Sequence, residues 1–289
     1  MLIVDSQVHI WAPDNHLRPR PAPGYELGTP PEIHDQDPLD LPRLLREMGG
    51  AGVDAAILVP PMWEGMRNDV AMEAALLYPE RFAIMGKLVL QRPDVREQLT
   101  SWKQQPGMLG LRVNFQEADR QSLVDGSLDW FWAEAERCGV PIMTLATGLL
   151  PYLGVVAGRH PGLRLVVDHF GLTTAFKDDE VNRRVNVLIG LARYPNVAVK
   201  ASGLPCNSTE AYPFRGLHEA IRRVVEAFGP HRVFWGTDLT RLLRKCSYRE
   251  AVTMFTEELS FLSDIDKQWI MGRALIEWLG WQQPKLAGS

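Results

Sequence analysis

The sequence predicts a (β/α)8 TIM barrel of the α/β class, and three observations lead to this prediction. Short apolar runs alternate with segments of helical periodicity along the 289 residues. The runs are continuously apolar, which is typical of parallel strands covered on both faces. Eight such units occur, and a barrel of this kind takes about 250 residues. An open doubly wound sheet is the main alternative, but Trp11-Ala12-Pro13-Asp14 after the first run is not a glycine-rich phosphate turn.

The predicted elements follow one another in a regular order. The strands are predicted at 2–11, 54–61, 82–90, 108–115, 141–147, 163–170, 196–202 and 232–238. Apolar residues at a spacing of three to four predict the helices between them. These helices are predicted at 41–48, 69–77, around 130–138, and near 180–193, 216–228, 247–259 and 264–279.

Two connections interrupt this rhythm. Residues 12–39 contain seven prolines and show no periodicity of their own. A long loop of this kind is usually functional or disordered, and this one follows the first strand, so we expect it to cover the carboxyl face. The segment 203–216 is expected to do the same after the seventh strand. Because no shift in composition divides the chain, we expect a single domain over residues 1–289.

Composition and charge exclude several classes of function. The net charge is −4 and there is no basic stripe, so we expect no nucleic-acid partner. No apolar segment approaches the ~20 residues of a membrane helix, and no signal peptide is expected before the first strand. Cys138, Cys206 and Cys246 form no CxxC pair, which is typical of reduced thiols in the cytoplasm. These features predict a cytoplasmic enzyme that acts on a small molecule, and they specify no oligomeric state.

Polar residues stand at the ends of three apolar runs. Asp5, Gln7 and His9 alternate along the first run, so a regular strand would place them on one face. His169 ends the sixth run and Asp238 ends the eighth. Because active sites of parallel barrels lie at the carboxyl ends of the strands, these residues predict an active site there.

Two further strands carry charges within apolar surroundings. Arg112 and Asn114 share one face of the fourth strand, and Lys200 and Ser202 share a face of the seventh, opposite Val197 and Val199. If the apolar partners face the helices, both cations point into the barrel, where an unpaired charge is costly. We therefore expect them to pair with an acid such as Asp5 or Asp168, or with a carboxylate of the substrate.

Four motifs in order carry a resemblance to a known family. They are DSQVHIW at 5–11, VVDHFG at 166–171, VKASG at 199–203 and WGTDLT at 235–240. With MGRALIEWLGW at the carboxyl end, they make the chain resemble the amidohydrolase superfamily, in the branch that includes sugar lactonases and pyrone-dicarboxylate lactonase. This resemblance implies a barrel hydrolase with metal ligands in a His-x-His on strand one, on strands four to six, and at an Asp on strand eight.

The sequence departs from that ligand pattern. Gln7 stands in place of the first histidine, and the run 141–147 contains no histidine. A neutral amide is a poor zinc ligand, so we expect no metal cofactor, as in the metal-independent lactonases of this branch. The alternative is a divalent metal such as zinc on the remaining His9, His169 and Asp238.

These residues predict a hydrolase that opens a lactone or a similar cyclic ester bearing a carboxylate. Asp238 is expected to activate water, and His9 and His169 to stabilise the oxyanion. The structural alternatives are a helix cap or loop salt bridge for Asp238 and backbone-satisfied rings for the histidines. The expected substrate-binding residues are Gln7, Arg112, Asn114, Lys200 and Arg241.

Two other functions stay open at this point. The first is a metal-dependent amidohydrolase, or a decarboxylase or hydratase, on the same barrel. A bound metal in stoichiometric amount would favour this alternative. The second is an inactive barrel that serves as a binding protein, which the missing ligands would permit.

Overall fold

The centre of the structure, a computed structural model that describes residues 1–20, 37–115 and 120–282, is one sheet of eight parallel strands. Each strand pairs with the next one in the chain. Every predicted strand is present, and each is shorter than its apolar run. The strands are β1 (Val4–Val8), β2 (Ala55–Leu58), β3 (Phe82–Gly86), β4 (Met108–Asn114), β5 (Ile142–Leu145), β6 (Leu165–Val167), β7 (Val197–Ser202) and β8 (Val233–Gly236).

The last strand returns to the first and makes the sheet a nearly closed barrel. Just past β8, the backbone N–H of Asp238 donates to the carbonyl of Gln7 in β1 at 3.0 Å. Because all eight strands run in the same direction, their carboxyl ends lie on one face of the barrel. The predicted (β/α)8 architecture is confirmed.

Helices cover the outside of the barrel, and none in the described ranges is both long enough and apolar enough to span a bilayer. The helices are α1 (Leu41–Ala51), α2 (Asp69–Leu77), α3 (Val95–Ser101), α4 (Asp129–Arg137), α5 (Leu150–Arg159), α6 (Asp179–Ile189), α7 (His218–Phe228), α8 (Leu239–Leu242), α9 (Tyr248–Thr253), α10 (Asp264–Gln268) and α11 (Ala274–Leu279).

Several helices differ from the prediction for identifiable reasons. Two helices were not predicted: α3, which is short and mostly polar, and α5, whose proline and glycines are typical of loops. The predicted helix at 247–259 continues from α9 into a π-helical turn. The predicted helix at 264–279 is interrupted at Gly272, where a Cβ atom would lie 2.9 Å from Val4 of β1.

The long connection after β1 is described only in part. Residues 21–36 of the predicted loop lie outside the described residues. Before them, Arg18 forms a short antiparallel bridge with Asn15 and an ion pair with Glu73 on α2. After them, the carboxylate of Asp40 accepts a hydrogen bond from the Arg43 N–H at 2.9 Å and caps α1. That this connection covers the carboxyl face stays a prediction.

The interior of the barrel changes from apolar to polar along its axis. Toward the amino ends of the strands, apolar side chains such as Val4, Ile57 and Phe234 pack together with Leu275 of α11. A second and larger apolar core lies between the strands and the helices, and its burial is the main stabilising contribution. The buried polar side chains near the other end of the barrel are Gln7, His9, Arg112, Asp168, His169, Lys200 and Asp238.

Asp5 does not share a face with Gln7 and His9, which corrects the expectation of regular alternation. The register of β1 shifts just after Asp5, and this bulge turns the carboxylate outward. There it accepts hydrogen bonds from the Tyr248 hydroxyl on α9 at 2.8 Å and from the Thr237 N–H at 2.9 Å. Burial raises the pKa of Asp5 to about 6. Asp5 therefore joins β1, the end of β8 and a helix, outside the candidate site.

Candidate active site

Asp238 lies at the carboxyl end of the barrel, two residues beyond β8. Its backbone is left-handed, with a φ of 53°, and its side chain is 1% exposed. The residue occupies the N-cap position of α8, but its carboxylate accepts no capping hydrogen bond from that helix. The helix-cap alternative therefore does not account for this side chain, which faces the barrel interior.

Three basic side chains surround the Asp238 carboxylate. His9 Nε2 lies 3.0 Å from Oδ1, while Arg241 Nε and His169 Nε2 lie 3.2 and 3.9 Å from Oδ2. Each carboxylate oxygen has lone pairs beyond the one that faces His9 or Arg241. Burial alone would raise the pKa of Asp238, but these three neighbours outweigh burial and hold that pKa well below its ordinary value. The result is an ionised carboxylate that can still accept hydrogen bonds.

His9 presents both of its ring nitrogens to acceptors. Nδ1 lies 2.6 Å from the carbonyl oxygen of Val59, and Nε2 faces Asp238. Since a carbonyl and a carboxylate both accept hydrogen bonds, each contact favours a proton on the ring nitrogen that faces it. The edge of Trp63 packs against the ring at 5.9 Å, and Trp11 is fully buried behind Trp63.

His169 has the opposite surroundings. Its Nδ1 lies 2.7 Å from the Ser202 hydroxyl and 3.2 Å from the Ser202 carbonyl oxygen. Because a carbonyl can only accept, these contacts place the proton on Nδ1. Burial lowers the pKa of His169 to about 4, so the ring is neutral at pH 7. Its Nε2 is then an acceptor that faces Asp238 and the side-chain nitrogen of Gln7, at 3.9 and 3.4 Å.

Backbone strain is concentrated at these residues. His169, Phe170 and Asp238 all have positive φ, between 51° and 54°. Non-glycine residues pay on the order of 1–3 kcal/mol for such conformations, which persist where the surrounding structure enforces them. This cost falls on two of the three predicted catalytic residues, and no periodicity in the sequence indicates it.

A buried ion cluster lies beneath the site. Asp168 is fully buried between Lys200 Nζ at 2.6 Å and Arg112 Nε at 3.0 Å. Burial would raise the pKa of Asp168, but the two cations lower it to about 2. Lys200 also donates to the side-chain oxygen of Gln7 and lies 3.5 Å from the Met143 sulfur. Lys200, expected to bind substrate, is thus fully buried among protein groups.

Arg112 and Asn114 keep polar atoms for a ligand. Only the Nε atom of Arg112 is bonded to Asp168, and its two Nη atoms make no hydrogen bond with the described residues. The Asn114 side-chain oxygen is buried and has no hydrogen-bond partner within those ranges. Arg241 has a side chain that is 35% exposed. Arg112 and Asn114 thus have polar atoms without a hydrogen-bond partner among the described residues, and Arg241 is partly exposed.

Lys87 is a buried cation that the sequence analysis missed. Its ammonium donates to the carbonyl oxygen of Pro61 at 2.7 Å and to that of Gly65. Burial lowers the pKa of Lys87 to about 7, and the nearby charge of Arg112 adds to this effect. Lys87 directly follows β3, so the rule that polar residues at strand ends mark the site could have found it.

The side chains that could hold a metal ion are His9, His169 and Asp238. They converge, but the amide nitrogen of Gln7 lies 3.4 Å from both Nε2 atoms. Because Lys200 donates to the other end of this amide, its hydrogens must face the two rings. In residues 1–20, 37–115 and 120–282, no group of three or more His, Cys, Asp or Glu side chains is arranged to hold a metal. The arrangement does not fit a metal ion.

Comparison with known proteins extends over nearly the whole chain. A family model described as amidohydrolase matches residues 4–277. The chain is 29% identical over 253 residues to an L-fucono-1,5-lactonase of Burkholderia ambifaria. This match covers 81% of this chain and 79% of that protein. It is 27% identical over 186 residues to an L-fucono-1,5-lactonase of Burkholderia multivorans, and this match spans 60% of the chain and 62% of the relative's length.

Solved structures show the same fold at low sequence identity. An amidohydrolase from Burkholderia multivorans has a TM-score of 0.78 at 21% identity, over 97% of this chain and 99% of that one. It was crystallised both with bound HEPES and with bound zinc. A probable 2-pyrone-4,6-dicarboxylic acid hydrolase from Acinetobacter baumannii has a TM-score of 0.75 at 18% identity, over 97% and 100% of the two chains. A 2,6-dihydroxybenzoate decarboxylase from Rhizobium has a TM-score of 0.64 at 17% identity, over 97% of this chain and 99% of that one.

Removing the charge of Asp168 should destabilise the fold strongly. Asp168→Asn leaves Lys200 and Arg112 buried without a counter-charge, and breaking such a buried pair costs about 3–5 kcal/mol of unfolding free energy. Urea denaturation measures this loss. The control is Glu226→Gln, which removes an exposed partner of Arg222 and should cost at most about 1 kcal/mol. Equal losses in the two variants would contradict the assigned role of the cluster.

The same cluster predicts the direction of a pH effect. The folded pKa of Asp168 is lowered from 3.8 to about 2, so its contribution to stability is complete above pH 3.8 and is lost as the pH falls through 2. Between pH 3.8 and about 2, the free energy of unfolding of the wild type should fall as this contribution is lost. Asp168→Asn lacks the carboxylate and should show no such loss.

Proposed function

This chain belongs to the amidohydrolase family, and from that premise we propose that it is a hydrolase that opens a lactone or a similar cyclic ester with water activated by Asp238. The observation that carries the proposal is the buried, ionised carboxylate of Asp238, whose oxygens face two imidazoles and remain able to accept hydrogen bonds. Two relatives named L-fucono-1,5-lactonase support the cyclic-ester class.

The attacking water is placed by two acceptors. Asp238 Oδ2 and His169 Nε2 lie 3.9 Å apart, so one water molecule can donate a hydrogen bond to each. As the water oxygen attacks the carbonyl carbon, Asp238 takes one proton as general base. His169 holds the second hydrogen. This role differs from the oxyanion-stabilising role expected from the sequence, because a neutral ring protonated on Nδ1 has no hydrogen to donate from Nε2.

The developing oxyanion is stabilised by the basic side chains that contact Asp238, His9 at Oδ1 and Arg241 at Oδ2. The His9 imidazolium and the Arg241 guanidinium both lie within 3.2 Å of that carboxylate and are the nearest charged donors. When the intermediate collapses, the bond between the carbonyl carbon and the ring oxygen breaks. The ring oxygen leaves as an alkoxide and takes the proton that Asp238 removed from water. The product is a hydroxy acid, and Asp238 is again ionised.

The charge of the cluster supports a substrate that carries a carboxylate. Together, the site and the ion cluster beneath it contain four basic side chains and two carboxylates, so positive charge is in excess. Arg112 can present its two Nη atoms as a fork that matches carboxylate geometry. The cations are His9, Arg112, Lys200 and Arg241, and the carboxylates are Asp168 and Asp238.

We also propose that the reaction needs no metal cofactor. Support comes from the Gln7 amide, which directs its hydrogens at the nitrogens that a metal would use. The zinc-bound crystal form of the Burkholderia multivorans neighbour makes the metal-dependent hydrolase the alternative to test. A cytoplasmic location is part of the same proposal, supported by the free thiols of Cys138, Cys206 and Cys246.

Asp238→Asn should remove catalysis while it preserves the fold. The amide keeps the shape of the side chain but cannot accept a proton, and a general base contributes about 10²–10⁴-fold. The measurement is kcat on the best substrate from a panel of sugar lactones and carboxylate-bearing lactones. The exposed Asp179→Asn on α6 is the control and should leave kcat unchanged. A near-normal rate in folded Asp238→Asn would place the active site elsewhere.

Chelation should leave the activity intact. Purified protein incubated with a chelator and then dialysed is expected to keep its kcat, since no proposed step uses a metal. Elemental analysis of the same sample accompanies the assay. About one zinc ion per chain, together with loss of turnover on its removal and recovery on its return, would contradict the metal-free proposal.

Arg112→Met should weaken the binding of an anionic substrate selectively. Hydrogen bonds to charged groups contribute about 1.5–3 kcal/mol, or roughly tenfold to 150-fold in affinity. The methyl ester of the same substrate should lose far less, because it never makes the charged contact. KM for the acid and the ester is measured beside the melting temperature, which falls in either case because Arg112 also pairs with Asp168. An equal loss of affinity for the acid and for its ester would show that Arg112 acts only in the ion cluster.

A further inference from the structure

We propose that Lys200 and Gln7 form a positioning relay that fixes His169 as the neutral tautomer with its proton on Nδ1. Both side chains are buried, with exposures of 0% for Lys200 and 1% for Gln7. The proposal rests on the proposed function for its catalytic consequence, because the relay keeps His169 ready to accept a hydrogen from the attacking water.

The first step of the relay fixes the orientation of an amide. The ammonium of Lys200 can only donate, and it is held in place by Asp168 at 2.6 Å. It donates to the side-chain oxygen of Gln7. A flipped amide would direct its NH2 group at the ammonium, with donor facing donor inside a fully buried cluster. The Gln7 oxygen therefore faces Lys200, and its NH2 group faces the opposite way.

The second step transfers this orientation to an imidazole. The Gln7 nitrogen lies 3.4 Å from His169 Nε2, so a proton on Nε2 would oppose the amide hydrogens. The proton is excluded from Nε2 and stays on Nδ1, where the Ser202 carbonyl and hydroxyl receive it at 3.2 and 2.7 Å. At 3.4 Å the amide hydrogen bond is long, so it selects the tautomer and leaves Nε2 able to accept from water.

The same amide lies 3.4 Å from His9 Nε2, but there a shorter contact decides the proton position. Asp238 Oδ1 lies 3.0 Å from that nitrogen, and the carboxylate requires a donor. His9 thus keeps a proton on Nε2 while His169 does not. The two histidines hold opposite proton states around one carboxylate, one as donor and one as acceptor, and the relay acts on His169 together with Ser202.

Nitrogen NMR of the resting protein tests the relay without any substrate. Long-range ¹H–¹⁵N spectra distinguish the two neutral tautomers, and the spectrum of His169→Gln identifies the His169 signals. In the wild type we expect a proton on Nδ1 and none on Nε2. In Gln7→Glu, a carboxylate oxygen replaces the NH2 group, and Nε2 should gain a proton. In Gln7→Met, Nε2 should move toward the shift of an unbonded nitrogen. An identical His169 pattern in all three proteins would overturn the proposal.

Kinetics supply a second readout that a substrate-binding role would not give. Gln7→Met should lower kcat by about tenfold to 100-fold, the loss known for groups that orient the histidine ligands of metals, with KM nearly unchanged. Lys200→Met should also lower kcat. In this variant Arg112 still neutralises Asp168. If that variant fails to fold, the Gln7 variants alone decide. The exposed Gln104→Met is the control.

The outcomes separate the relay from the proposed function. A raised KM with unchanged kcat in Gln7→Met would assign Gln7 to substrate contact and overturn the relay. If the spectra change as expected in a protein that hydrolyses no lactone, the relay stands and the proposed function fails. If lactones are hydrolysed but Gln7→Met retains both its kcat and its His169 spectrum, the relay fails and the proposed function stands.

Discussion

The candidate site depends on one buried ion pair, between Asp168 and Lys200 at 2.6 Å. Without the carboxylate, the ammonium would be an unpaired charge in the centre of the barrel, which would strongly destabilise the fold. With the ammonium in place, the amide of Gln7 has one permitted orientation, and through it His169 has one permitted tautomer. The same Asp168 holds the Nε atom of Arg112 and leaves the rest of that guanidinium for a ligand. Charge pairing at the base of the site therefore determines hydrogen-bond direction above it.

Strand closure supplies the second constraint. The Asp238 N–H reaches the Gln7 carbonyl, while Asp5 accepts from the Thr237 N–H on the outer side of the same junction. These contacts hold Asp238 in a left-handed conformation that it would not adopt in a free chain. The strained turn aims the carboxylate into the barrel rather than along α8. The contacts between β1 and the end of β8 thus hold the backbone of Asp238, the proposed base, in an unfavourable conformation.

Much of this could be predicted from the sequence, and the rest depends on contacts that a linear pattern does not encode. Continuous apolar runs located all eight strands, and polar residues at their ends located His9, His169 and Asp238. The alternation rule failed at Asp5 because a bulge, which no side-chain pattern indicates, shifts β1. The role of Lys200 depends on three partners, which lie in β1, in β5 and just after β6. The proton state of His169 likewise depends on Ser202 and Gln7, which lie 33 and 162 residues away in the chain.

The central claim is that Asp238 removes a proton from water and does not itself attack the substrate. The most direct measurement follows ¹⁸O during hydrolysis of a lactone in H₂¹⁸O, with mass spectrometry of the product and of the peptide that contains Asp238. Direct attack by water predicts one ¹⁸O atom in the carboxylate of every product molecule, including those of the first turnover, and none in Asp238. Appearance of ¹⁸O in the Asp238 side chain, with unlabelled product in the first turnover, would show an acyl-enzyme formed on that carboxylate and would contradict the account.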